Sequence, residues 1–102
     1  MLTNEKVLEL FRDYLSQDPA YEVVLTSRGY TVMAWDSYRE AWYDVRLCPT
    51  PEALRDTLLD AYTNYLEYGT TLDARDLTDA EKLAVQAKRR AMLERCREEE
   101  NR

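Results

Sequence analysis

The side chains in this sequence that could do chemistry are few. They are two tryptophans, Trp35 and Trp42, two cysteines, Cys48 and Cys96, a basic run centred on Lys88-Arg89-Arg90, and a large supply of carboxylates. Histidine is absent. That removes the Ser–His–Asp and Cys–His nucleophile pairs, the His-containing zinc sites and any imidazole pH switch. Two cysteines cannot make a Cys₄ site, and no CxxC spacing is present. In a reducing compartment they are expected as free thiols, one ending a strand and the other on the side of a helix. Gly29 and Gly69 are the only glycines, so no Gly-rich phosphate loop can be built. The carboxylates are spread along helical faces. No two share an apolar setting that would raise one for acid–base work. We therefore expect no catalytic residue, no metal ligands, no cofactor and no small-molecule substrate, and a chain that is not an enzyme.

What remains is the chemistry of surfaces, and the elements decide how those surfaces are arranged. The chain has 102 residues, one domain's worth, with a formal net charge of −6. Gly and Pro are scarce, at 2 and 3, so long elements with few turns are expected. There is no run of about 18 apolar residues, and Met1-Leu2-Thr3-Asn4-Glu5-Lys6 does not read as a signal peptide. The expectation is a cytoplasmic protein without membrane contact.

The first helix is predicted over residues 4–17. Thr3 is its N-cap, Leu2 and Val7 form a hydrophobic staple, and Asp18-Pro19 is its stop. Strands follow over 21–27, 30–36 and 41–48, rich in Val, Thr, Tyr and Trp. Arg28-Gly29 supplies a two-residue hairpin loop and residues 37–40 a second loop. The second helix opens on Thr50-Pro51, and Gly69 is placed to end it. The third opens on a Thr78/Glu81 capping box and runs to about Glu99. The fold class expected is α+β in the order α-β-β-β-α-α. A three-stranded antiparallel meander carries the first two helices on one face. Residues 1–77 form the core domain, and residues 78–102 form a charged C-terminal helix that either joins it or protrudes.

The loops set the registers. The first pairs Leu25 with Val32 and Val23 with Ala34. The second pairs Asp36 with Ala41, Ala34 with Tyr43, Val32 with Val45 and Tyr30 with Leu47. Both put Tyr21, Val23, Leu25, Tyr30, Val32, Ala34, Tyr43, Val45 and Leu47 on one face, a consistency that a one-residue slip would destroy. The opposite face then displays Glu22, Val24, Thr26, Thr31, Met33, Trp35, Trp42, Asp44 and Arg46, with the two tryptophans directly opposed.

The stretch from Tyr21 to Asp36, with Asp44-Val45-Arg46-Leu47-Cys48 and then Thr50-Pro51-Glu52, resembles small accessory proteins encoded on conjugative or integrative elements of Gram-positive bacteria. The resemblance covers residues 1–68. It implies a bacterial cytoplasm and a mobile-element setting, and it carries no activity or functional residue with it.

Three surfaces compete for a function. The first is the face bearing Trp35, Trp42, Met33, Arg46 and Val24. It is either a binding surface for a protein partner or a second copy, or an inner face covered by the C-terminal helix folding back. The second is the acidic stripes of the first two helices, Glu5, Glu9 and Asp13 on the first and Glu52, Asp56, Asp60 and Glu67 on the second. It is either ordinary solvent-facing surface or an imitation of a phosphate backbone directed at a nuclease or DNA-binding protein. The third is the basic helix with Lys88, Arg89, Arg90, Arg95 and Arg97. It reads as a phosphate-contacting surface or as a solvated helix pairing Arg90 with Glu94 and Arg95 with Glu99. Residues 1–77 carry 7 basic and 14 acidic side chains, net −7, which opposes approach to nucleic acid. The leading expectation is a non-enzymatic protein-interaction module acting through the Trp-bearing face.

Overall fold

The computed structural model describes residues 1–102. The elements are α1 (Asn4–Leu10), α2 (Arg12–Gln17), β1 (Tyr21–Thr26), β2 (Gly29–Asp36), β3 (Ala41–Cys48), α3 (Pro51–Thr71) and α4 (Asp79–Glu100). The strands form one antiparallel sheet in the order β1-β2-β3. The α+β meander is thus as expected. No helix is long and apolar enough to cross a membrane.

The predicted first helix is interrupted at Phe11, where φ is −97° and ψ is 5°. The hydrogen-bond ladder still passes through: Phe11 N–H donates to Val7 O at 3.1 Å and Leu15 N–H to Phe11 O at 2.9 Å. Phe11 is fully buried and the irregularity does not turn the chain out of the core. The start is as read, with Thr3 Oγ1 accepting from Lys6 N–H and with Leu2 and Val7 both buried. Asp18 ends α2 by accepting two bonds. The Tyr14 hydroxyl donates to Oδ2 at 2.6 Å and Ala20 N–H donates to Oδ1 at 2.9 Å. Burial, and then the Asp18 carboxylate, push the Tyr14 phenol up, so it stays protonated and remains a donor.

The first hairpin closes two residues away from the predicted register. Tyr21 pairs with Ala34, Val23 with Val32 and Leu25 with Tyr30, so the loop is Ser27-Arg28 and Gly29 begins β2. Thr26 draws it shut: its hydroxyl donates to Gly29 O at 3.0 Å and accepts from Arg28 N–H at 3.1 Å. Gly29 has φ 123°, a conformation that requires glycine. A two-residue shift leaves every side chain on its predicted face.

The second hairpin begins as predicted, pairing Asp36 with Ala41, Trp35 with Trp42 and Ala34 with Tyr43. It then departs. Asp44 adopts φ 51° and forms a β-bulge, after which Val32 pairs with Arg46, Thr31 with Leu47 and Tyr30 with Cys48. The extra residue exchanges the faces of everything beyond it. Val45 and Leu47 turn away from the helices, and Arg46 and Cys48 turn towards them.

The helices α3 and α4 start as the sequence dictates. Thr50 Oγ1 accepts from Ala53 N–H, and Thr78 and Glu81 make both bonds of the capping box. Gly69 does not end α3. The helix runs through it to Thr71 and stops at Leu72, the residue that takes the left-handed conformation, with φ 53°. The Thr70 and Thr71 hydroxyls bond back to Leu66 O and Glu67 O, which holds the last turn past the glycine.

The core is mostly helical. It joins Leu2, Val7, Phe11 and Tyr14 to Leu54, Leu58, Leu59 and Ala61 of α3 and to Met92 and Cys96 of α4, and the sheet adds Val32 and Cys48. The third helix therefore neither protrudes nor folds over the second sheet face. It packs on α3 and α1, on the side already covered. The result is a two-layer molecule with Cα extents of 38 × 35 × 18 Å. One layer is helices and the other is the sheet, whose far face has nothing over it.

Candidate interaction surface on the open face of the sheet

Alternation along β1 and β2 puts Glu22, Val24, Thr31, Met33 and Trp35 on the open face. The short loop between β2 and β3 forces Trp42 opposite Trp35, and the rings meet edge to face with centroids 4.9 Å apart. The bulge at Asp44 then adds Val45 and Leu47. Exposure is 36% for Trp35, 43% for Trp42, 62% for Val45 and 50% for Leu47. Met33 and Val24 are half-buried between them, and Thr31 is buried beneath its cross-strand neighbours Val24 and Leu47. The surface is continuous, apolar and crosses all three strands.

Four of the five residues predicted for this surface, Trp35, Trp42, Met33 and Val24, lie on it. Arg46 does not. Past the bulge it points to the helix side and forms a two-point pair with Asp44, Nε to Oδ1 at 3.1 Å and a terminal nitrogen to Oδ2 at 3.0 Å. Val45 and Leu47 take its place, although the sequence pattern assigned both to the core. Tyr43 keeps its predicted face but is 54% exposed. The only sequence signal for the bulge is an Asp inside a strand, a poor strand former that tolerates positive φ.

On the helix side, Asp44 and Arg46 border a polar cleft of about 320 Å³ with Thr57, Asp60, Thr63 and Arg89. Its two guanidiniums are already engaged. Arg46 is held by Asp44, while Arg89 donates to Thr63 Oγ1 at 2.7 Å, to Leu59 O at 3.2 Å and to Asp60 Oδ1 at 3.0 Å. Hydrogen bonding to Asp44 raises Arg46 further, so its guanidinium stays charged. Cys48 and Cys96 are buried free thiols, and burial pushes the Cys96 thiol up, away from the reactive thiolate. No group of three or more Cys, Asp or Glu side chains is placed to hold a metal ion.

Both charged stripes are partly paired within the chain. Along α3, Glu52, Asp56 and Asp60 are exposed, Asp56 pairing with Arg55 and Asp60 with Arg89, and Glu67 is half-buried. Along α4, Arg89 turns inward and Arg97 pairs with Glu94. The pairs predicted between Arg90 and Glu94 and between Arg95 and Glu99 are not formed. Glu94 and Glu99 take Arg97 and Arg102 instead, at spacing three. Lys88, Arg90 and Arg95 are exposed but not together, since at about 100° per residue Lys88 and Arg95 share one side of the helix and Arg90 faces another.

No protein-family model, curated protein or solved structure matches this chain.

Proposed function

We propose that this chain is a non-enzymatic protein-interaction module, an accessory or regulatory protein that binds through the open face of its sheet. The observation that carries this reading is the position of α4. The one element that was free to cover Trp35 and Trp42 packs on α3 and α1 instead, leaving two facing tryptophans, Val45 and Leu47 in water. The largest apolar patch on a monomer, a few hundred Å² as here, is often a functional surface. Tryptophan is also the side chain most enriched at binding hot spots.

The test is Trp35→Ala. Truncation is expected to weaken association by about 2 kcal/mol or more while the circular dichroism spectrum stays unchanged. A folded Trp35→Ala protein that binds itself and its cellular partners as tightly as the parent chain would refute the reading. The acidic and basic alternatives predict other phenotypes. DNA mimicry requires Asp56→Lys with Asp60→Lys to abolish competition with DNA for a basic protein. Nucleic-acid binding requires Arg89→Ala with Arg90→Ala to lower affinity and flatten its salt dependence.

A further inference from the structure

The open face has a size, a charge and a shape, and together they specify an occupant. Taking about 150–250 Å² as the full area of a large residue, Trp35, Trp42, Val45 and Leu47 leave roughly 290–480 Å² in water. Two such faces brought together remove roughly 570–960 Å² through these four residues alone. With Met33, Val24 and the polar margin added, the total is on the order of 1,000 Å², the low end of the range for specific interfaces.

Charge narrows the choice. The molecule carries −6 overall, yet this face holds one formal charge, Glu22, on the outer strand β1 at the margin. A basic partner would be drawn to the acidic helical side rather than here. A second copy is different, because it brings an equally neutral, apolar surface and keeps its own carboxylates on the far side.

Shape decides the mode. Edge-to-edge addition along β3 is obstructed by the bulge at Asp44, a device that blunts edge strands. It would also leave both tryptophans wet. Face-to-face packing keeps Asp44 on the helix side, outside the contact, and brings Val45 of the bulge into it. It stacks two sheets about 10 Å apart with helices outermost, turning each two-layer, 18 Å-thick copy into half of a four-layer body.

We infer, resting on the interaction reading above, that the open face binds a second copy of this chain in a two-fold, sheet-on-sheet dimer centred on Trp35 and Trp42. Sedimentation equilibrium of the purified full chain, from low to several hundred micromolar, tests this. The expected result is a mass rising from 12.1 kDa towards twice that value, accompanied by a blue shift of tryptophan emission as the indoles leave water. Trp42→Lys and Val45→Lys place a charge in the contact, and each is expected to raise the dimer dissociation constant at least tenfold. Val45 is the more exposed, so its variant carries the test if Trp42→Lys fails to fold.

A dimer that persists unchanged in folded Val45→Lys protein overturns the inference, because it would be using another surface. A parent chain that stays monomeric throughout also overturns it. If that monomer captures a cellular protein and loses it on Trp35→Ala, only the second-copy occupant falls and the interaction reading stands. If it captures nothing through the tryptophans, both fall.

Discussion

The two faces of the same three-stranded sheet have opposite fates. On the helix side, Val32 and Ala34 are buried, and Cys48 joins a core that runs through α1, α2, α3 and α4. On the other side, Trp35, Trp42, Val45 and Leu47, side chains at least as apolar, remain in water. Hydrophobicity alone therefore did not decide which face became the interior. The helices had a better arrangement available in stacking on one another. Leu54, Leu58, Met92 and Cys96 form a helical core to which one face of the sheet adds Val32 and Cys48. The sheet is left as a wall with one used side.

The contrast can be broken most forcefully from the buried side. Leu58 is fully buried in α3, and Leu58→Ala is expected to cost about 2–5 kcal/mol. Trp42→Ala, a larger truncation on the open face, should cost the monomer less, about 1–2 kcal/mol, from its edge contact with Trp35 and the part of the ring already buried. Urea unfolding at low micromolar concentration compares the two. Equal losses would mean that the open face is part of the monomer's core after all.

A smaller effect is expected at the residue that assigns side chains to the two faces. Asp44 sits at φ 51°, where a β-branched side chain is strained. Asp44→Val should destabilise by about 1–3 kcal/mol, and Asp44→Gly should be tolerated with a loss of only the exposed pair to Arg46. Thermal melts of both variants sharpen the comparison. If valine were as good as glycine, the bulge would not be what sends Val45 and Leu47 outward.

The smallest effect lies in the first turn of α4, far from the open face. Arg75 forks onto Glu81 at 2.7 and 2.9 Å, and Thr78 N–H donates to the same carboxylate at 2.9 Å. The Arg75 bond first, and then the backbone bond, hold the Glu81 carboxyl down to about 2. A carboxyl that is depressed in the folded state stabilises above its unfolded value, near 4.3, and loses that contribution as pH falls through the folded value. The melting-temperature advantage of the parent over Glu81→Gln should therefore be full at pH 6, shrink below about pH 4.3 and vanish near pH 2. High salt should reduce it, since the pair is exposed. Trp42→Ala protein should show the same profile, because the cap and the open face are independent.

Much of this was legible residue by residue. Thr50-Pro51 and Thr78 with Glu81 mark helix starts because a cap needs only side chains within one turn of the orphan N–H groups. The opposition of Trp35 and Trp42 was legible because four loop residues leave little freedom in pairing. Gly69 misled because glycine is a stop only where the chain has reason to turn, and here the helix had another turn to make. Arg46 misled because the alternation of Tyr43, Asp44, Val45, Arg46 and Leu47 is regular on paper, and a single positive φ inverts it.

The sequence by itself thus determined the helix starts capped by Thr3, Thr50 and Thr78, the antiparallel meander and the pair of opposed tryptophans. All of these follow from hydrogen bonds and pairings between residues near one another along the chain. Only the tertiary structure decided which side of the sheet α4 would take, and hence that the tryptophan face stays open. It also decided that Asp44 would bulge and trade Arg46 for Val45 and Leu47. The reason is physical. Periodicity states that a helix has an apolar side, but which of two apolar surfaces it covers depends on the depth of burial each offers, and that is a property of the assembled molecule.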